Sequence, residues 1–248
     1  MIPHVTEFMC GAGGGTEGML QAGAEVIGID IDPNCEQWYP KPARFIHHDV
    51  FTVEEMLDWP QILERTDLFW AGPKCEGNSR ATNIRAKNSD HSDQIARVRK
   101  MFVQFGKPYV IENVPEACYK FHRMRADVKL NGYTLGLMLD RLRVFEISGF
   151  TVAQPRYIEK NEVPPEKQQK CSVYGRLISS KRKGGNERYL FEKHWRPIEM
   201  GITHIPVNAG SSPDKETGRT YNLLALAIPP AFSKYIIEQF MKWRTTIE

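Results

Sequence analysis

Residues 5–30 read VTEFMCGAGGGTEGMLQAGAEVIGID, and the order of apolar runs, glycines and acids in them sets the fold class. Val5 to Met9 is a short apolar run suited to a buried strand. It feeds Cys10-Gly-Ala-Gly-Gly-Gly15, a turn in which glycines let the backbone approach a ligand closely. Thr16 to Ala22 is helix-like, and Gly23 stops it. Ala24 to Ile29 is a second strand, closed by Asp30. Strand, glycine turn, helix, strand is the opening unit of an α/β fold with a parallel sheet. The spacing Gly13-x-Gly15-x-x-Gly18 satisfies the dinucleotide fingerprint, with Asp30 and Asp32 placed to meet ribose hydroxyls. The segment implies an adenosine-containing cofactor, and NAD, FAD and S-adenosylmethionine all remain open.

Working outward, Arg44 to His48 reads as a third strand that ends at Asp49-Val50. An acid there could accept a bond from an adenine amino group, or simply cap the helix that Thr52 begins. The next strand, Asp67 to Trp70, runs into Ala-Gly-Pro-Lys and Cys75. That turn lifts a thiol out of the strand's carboxyl end, where α/β sheets bind ligands. Lys74 beside it favours the thiolate, the attacking form of cysteine. The alternative is a small buried hydrophobe. Glu76 to Gln94 is polar, aperiodic and carries Arg80, Arg85 and Lys87, so it reads as a lid. Ile95 to Phe105 is an amphipathic helix, and Tyr109 to Ile111 a buried strand that delivers Glu112-Asn113-Val-Pro. Leu135 to Leu139 and Val144 to Ser148 flank Asp140-Arg-Leu-Arg143. Arginines two apart on a strand share a face, which suits recognition of a carbonyl or phosphate.

From Gln154 to Gly218 the chain turns polar and loop-rich. Arg176 to Arg196 holds seven Lys/Arg against two Glu, interleaved with Tyr189, Phe191 and Trp195. Such a stretch supplies phosphate contacts and stacking, or is a solvated excursion. Tyr221 to Ile228 reads as helix, and Phe232 to Trp243 as an amphipathic closing helix.

The 248 residues are 41% hydrophobic and 25% charged, enough for one large domain with a sizeable core. A net charge of +3 is too small by itself to argue for nucleic acid. The cysteines at 10, 35, 75, 118 and 171 show no CxxC spacing, which points to a reducing compartment and no metal site. No run approaches the roughly 18 apolar residues of a membrane span, and the start lacks a secretory pattern. The expectation is a cytoplasmic protein.

Five segments, FMCGAGGGTEGMLQAG (8–23), GPKCEGNS (72–79), IENVPE (111–116), RLRVFE (141–146) and LALAIPPAF (224–232), occur in an order that resembles the DNA cytosine-5 methyltransferases, the short phage-type members above all. The resemblance implies a Rossmann-like S-adenosylmethionine-dependent methyltransferase fold. The catalytic and cofactor-binding part would be 1–150 with 219–248, and 151–218 a small target-recognition segment. It implies that Phe8, Cys10, Gly11, Ala12, Gly13 and Gly14 shape the cofactor pocket, with Gly72 and Lys74 across from them. Asp30 would bind ribose, Ile31 would pack on adenine, and Asp49 with Val50 would meet its amino edge. Cys75 would be the nucleophile. Glu112 would hold the cytosine edge, and Arg143, supported by Arg141, its O2. The implied substrate is double-stranded DNA with a flipped cytosine, the implied state a monomer, and the implied setting a bacterial or phage-infected cell. RNA is the alternative substrate; a catalytically silent binder and an NAD(P) oxidoreductase are alternatives of another class. The chain departs from the family pattern at Lys74, Glu76, Leu139, Ala225 and Leu226. A cation at 74 opens a further expectation: a carboxy-S-adenosylmethionine that installs carboxymethyl, with Lys74 as counter-ion.

Overall fold

A computed structural model describes residues 2–74, 94–119, 123–169, 198–206, 209–212 and 222–247. Seven strands form one sheet in the order β3-β2-β1-β4-β5-β7-β6. β1 (His4–Phe8), β2 (Glu25–Asp30), β3 (Arg44–His47), β4 (Leu68–Ala71) and β5 (Tyr109–Asn113) run parallel. β7 (Leu142–Ser148) lies antiparallel to β5, and β6 (Val128–Asn131) lies antiparallel to β7 at the edge. The chain winds one way from β1 to β3 and the other way from β4 to β5. A crevice therefore opens at the carboxyl ends of β1 and β4.

The strands alternate between two apolar cores. Val5, Leu68, Trp70, Val110 and Phe145 face α1 (Gly14–Gln21) and α6 (Pro230–Ile247). Phe8, Phe69, Ile111 and Val144 face α2 (Trp59–Arg65) and α3 (Gln94–Phe105). Phe8, Phe69 and Phe102 pack ring on ring there, with centroids 5.1–5.7 Å apart. One buried carboxylate fastens α3 to the sheet. Glu146 accepts two bonds from Arg99 at 2.7 and 2.8 Å, one from Tyr109 Oη at 3.2 Å and one from the Arg125 amide at 3.0 Å. Burial alone would raise its pKa, but these donors hold it below the usual carboxylate range.

Several sequence expectations shift. The run Leu135 to Leu139 begins in a 3₁₀ turn, Tyr133–Leu135, and the hairpin partner of β7 is the earlier Val128–Asn131, where no strand was expected. The helix expected from Thr52 is a 3₁₀ turn, Val50–Glu55, before α2. After α3 comes the single turn α4 (Glu116–Tyr119); the helix expected over Tyr221 to Ile228 is also one turn, α5 (Leu223–Leu226), while the closing helix runs longer, Pro230–Ile247. Among the described residues no helix is long and apolar enough to cross a membrane.

Two contacts fix α1 over the crevice. Gly18 meets α6 so closely that a Cβ there would lie 1.9 Å from the Pro230 carbonyl oxygen, and Ser233 Oγ donates to Gly15 O at 2.6 Å. From the sheet side Glu7, buried on β1, accepts from the Thr16 hydroxyl, which lies 2.6 Å from Tyr39 Oη. Burial pushes the Glu7 carboxyl up to about 8, helped by the charges of Asp30 and Glu112 and opposed by the Thr16 bonds.

Both contacts generate measurable expectations. Gly18→Ala must push α1 off a backbone carbonyl that cannot rotate away, so thermal denaturation should show a loss of about 1–3 kcal/mol. A variant as stable as the parent would mean the helices separate freely. For Glu7, the unfolded carboxyl titrates near 4.5 and the folded one near 8, so the native state holds the extra proton between those values. Stability from this group is full below 4.5, falls as pH rises towards 8 and is level above it. Glu7→Gln mimics the protonated acid and should gain stability over the parent at pH 8 relative to pH 5. An equal gap at both pH values would assign the slope to another group.

Candidate active site

The glycine turn leaves β1 through Met9, the described non-glycine residue with positive φ, +56°. That conformation is costly for a side chain. It lets the Met9 and Cys10 amides both donate to Ile29 O, at 2.8 and 3.4 Å. The Gly11 amide donates to Asp30 Oδ2 at 2.8 Å, and the Asp32 amide to Asp30 Oδ1 at 2.9 Å. Asp30 thus shapes the turn before it meets any ligand. Burial raises its pKa, while those two amides and the Lys74 charge pull it back. At Gly13, φ is +82° and a Cβ would fall 2.3 Å from Pro40 Cδ, so glycine is required there. A Cβ on Gly11 would meet nothing within 4 Å, which leaves that side of the turn open for a ligand.

Other predicted cofactor residues surround this opening. Ile31 is 50% exposed at the end of β2, free to cover a flat ring. Asp49 Oδ1 accepts from the Phe51 amide at 3.0 Å and so caps the 3₁₀ turn, as an ordinary helix cap would. Val50 is buried beneath it, and the Cys10 thiol is buried beneath the turn. Phe8 departs from expectation. Strand alternation sends its ring into the α2–α3 core with no exposure, and only its carbonyl reaches the site, accepting from the Gly72 amide at 3.3 Å. Met9, one residue on, is partly buried against the same core.

The end of β4 is held from two sides. Asn113 Nδ2 donates to Pro73 O at 3.0 Å, and the Lys74 amide donates to Gln94 Oε1, at the start of α3, at 3.2 Å. A Cβ on Gly72 would lie 3.6 Å from Glu112 Oε2 and 4.0 Å from Met9 O, so turn, strand end and glycine loop converge. Cys75, the expected lid residues 76–93 and the basic stretch 176–196 lie outside the described residues.

Glu112 and Arg143 form the polar centre. Glu112 pairs with Phe145 across the strands, which makes Arg143 its diagonal neighbour on the same face. Arg143 Nε stands 2.8 Å from Glu112 Oε1, and both side chains are about nine-tenths buried. Burial raises the Glu112 pKa; Arg143 first and Arg141 second restrain the rise. Arg141 is turned elsewhere: Nη1 donates to Ala225 O at 3.2 Å, tying the chain before α6 to the start of β7. Its support of Arg143 is indirect.

Sequence reading missed two contributors and left a third without its partner. Asn113 is legible with Glu112 as a polar pair at the strand end, and only the fold brings it to Pro73. The other two come from far along the chain. His204 Nε2 donates to Ala12 O at 3.0 Å, 192 residues away. Ser212 binds Asp32 through its amide at 2.9 Å and its hydroxyl at 2.6 Å. No local pattern signals either of the last two.

The architecture is shared. A protein assigned as a DNA modification methyltransferase of an E. coli prophage superposes with a TM-score of 0.56 at 14% identity, over 98% of this chain and 99% of that one. The S. pombe Dnmt2 methyltransferase gives 0.59 at 14%, over 98% and 99%. The Entamoeba histolytica methyltransferase EhMeth gives 0.58 at 11%, over 100% and 99%. At such identities the likeness shows the fold, a Rossmann-like methyltransferase fold. No curated protein matches the sequence. The model of the C-5 cytosine-specific DNA methylases does match, over residues 4–157, more than half of the chain and all seven strands of the sheet, and the protein belongs to that family.

Proposed function

We propose that the protein methylates C5 of a flipped cytosine in DNA, using S-adenosylmethionine and a covalent bond between Cys75 and C6. The observation that carries this reading is the buried Glu112–Arg143 pair, 2.8 Å apart, at the strand end beside Gly72. Cytosine C5 is a poor nucleophile. Addition of the Cys75 thiolate to C6 makes C5 enamine-like, with the electron pair delocalised towards N3 and O2. A Glu112 carboxyl that keeps its proton to higher pH than usual can donate to N3, and the Arg143 guanidinium can stabilise charge at O2. Loss of the C5 proton and departure of the thiolate then restore the ring. The open side of Gly11, with Gly13, Gly14, Asp30, Ile31, Asp49 and Val50, fits an adenosine-bearing cofactor. When bound, that cofactor supplies the methyl group as an electrophile. The target must leave the duplex to reach a clamp this deep, because both clamp side chains are buried.

A second reading concerns the transferred group. In this reading the Lys74 side chain, whose charge helps to lower the Asp30 pKa, would turn its ammonium towards the cofactor. A carboxylated methyl would find its counter-ion there, and carboxymethyl would be installed. The competing role for Lys74 is to balance Asp30 alone.

Nucleoside mass spectrometry of DNA and RNA from cells expressing the protein tests both readings. Modified deoxycytidine is expected with the parent and none with Cys75→Ser, and the added mass separates methyl from carboxymethyl. DNA carrying 5-fluorocytosine should form a covalent adduct with the parent, since fluorine does not leave as the proton does. Modification by Cys75→Ser would end the covalent mechanism, and modified cytidine confined to RNA would reassign the substrate. For Lys74, calorimetric competition between S-adenosylmethionine and its carboxylated analogue is decisive. A counter-ion role predicts a preference for the analogue that falls about tenfold in Lys74→Pro, the loss of roughly 1.4 kcal/mol. Unchanged preference would leave Lys74 to Asp30.

A further inference from the structure

The glycine turn is braced from outside the sheet by a segment that no sequence motif marks. Met200, Ile202, Ile205 and Ala209 are buried against Ala12, Cys35 and Leu223, so residues 198–206 and Ala209 are anchored by apolar contact. From this strap His204 reaches back to α1 and the turn. Its Nε2 donates to the Ala12 carbonyl at 3.0 Å, and its Nδ1 stands 2.6 Å from Glu17 Oε2 in the first turn of α1. Three residues past Ala209, Ser212 binds Asp32 with two bonds, and the Asp32 amide in turn binds Asp30.

The Ala12–Gly13 peptide is consequently held at both ends. Its carbonyl accepts from His204, and its amide, on Gly13, donates to Cys10 O at 3.0 Å. Without the first bond, Ala12 lies between two glycines of positive φ, Gly11 at +53° and Gly13 at +82°, where backbone freedom is greatest. We infer that His204 is a positioning residue for cofactor binding: it fixes the plane of the Ala12–Gly13 peptide so that the turn is preshaped to receive the cofactor. Preorganisation of this kind raises affinity by removing an ordering cost rather than by adding a contact. The inference rests on the methyltransferase reading of the pocket and adds to it a residue that touches neither cofactor nor target.

The choice of substitution separates positioning from folding. Glutamine places its amide nitrogen near the position of Nε2 and keeps the bond to Ala12. Asparagine places its amide near Nδ1 and keeps only the approach to Glu17. Alanine loses both, while the buried apolar residues of the strap remain. Calorimetric titration of the full chain with S-adenosylhomocysteine, alongside thermal denaturation, reads the difference. Alanine and asparagine are expected to weaken binding about tenfold with melting temperatures close to the parent, and glutamine to stay within about threefold of it. Equal affinity of the alanine variant and the parent would overturn the inference, as would a glutamine variant as weak as alanine, or a loss of affinity matched by a loss of fold stability. A parent that binds no S-adenosylhomocysteine would instead overturn the reading of the pocket, and the inference with it.

Discussion

A carboxyl group buried at the carboxyl end of β5 requires a cation, and the direction of β7 supplies it. Were β7 parallel to its neighbour, its last residues would arrive beside Glu112. Because it runs antiparallel, its first residues do, and these are the arginine pair. The reversal costs the sheet its uniform direction and brings Arg143 within 2.8 Å of the acid. It also leaves Arg141 pointing at the chain before α6, so the closing helix is tied to the same strand. Clamp, sheet edge and C-terminal helix therefore depend on one antiparallel pairing.

Charge is distributed around the crevice with similar economy. Burial raises the pKa of Glu7, Asp30 and Glu112 alike, the latter two add to the rise at Glu7, and each is relieved differently: Glu7 by keeping its proton, Asp30 by two backbone amides, Glu112 by arginine. Three carboxyls in one environment thus acquire separate tasks, as burial and partners push their pKa values apart. Only Glu112 lies beside Gly72, at the strand end that the proposed function assigns to the target base.

Much of this was legible in the sequence, and the failures have physical causes. The first strand, glycine turn, helix and second strand were found close to their true bounds, because apolar runs and glycines punctuate them. The pairing of Glu112 with Arg143 was not legible, because it follows from strand alternation only once the hairpin register is known. The Phe8 ring lies in the α2–α3 core, and alternation could not foretell this because both faces of the sheet are apolar and covered by helices. β6 was missed because Val-Lys-Leu-Asn is four residues long, too short for its period to stand out. His204 and Ser212 were beyond reach, since their partners lie 192 and 180 residues away and nothing local selects a histidine that faces a carbonyl.

The bond from Asn113 to the Pro73 carbonyl ties the turn after β4 to β5, the strand that also bears Glu112. The Lys74 amide adds a second tether, to the first residue of α3. The chain leaving β4 is therefore held by two neighbouring elements at once, and any change in the spacing of β4 and β5 would have to strain both bonds.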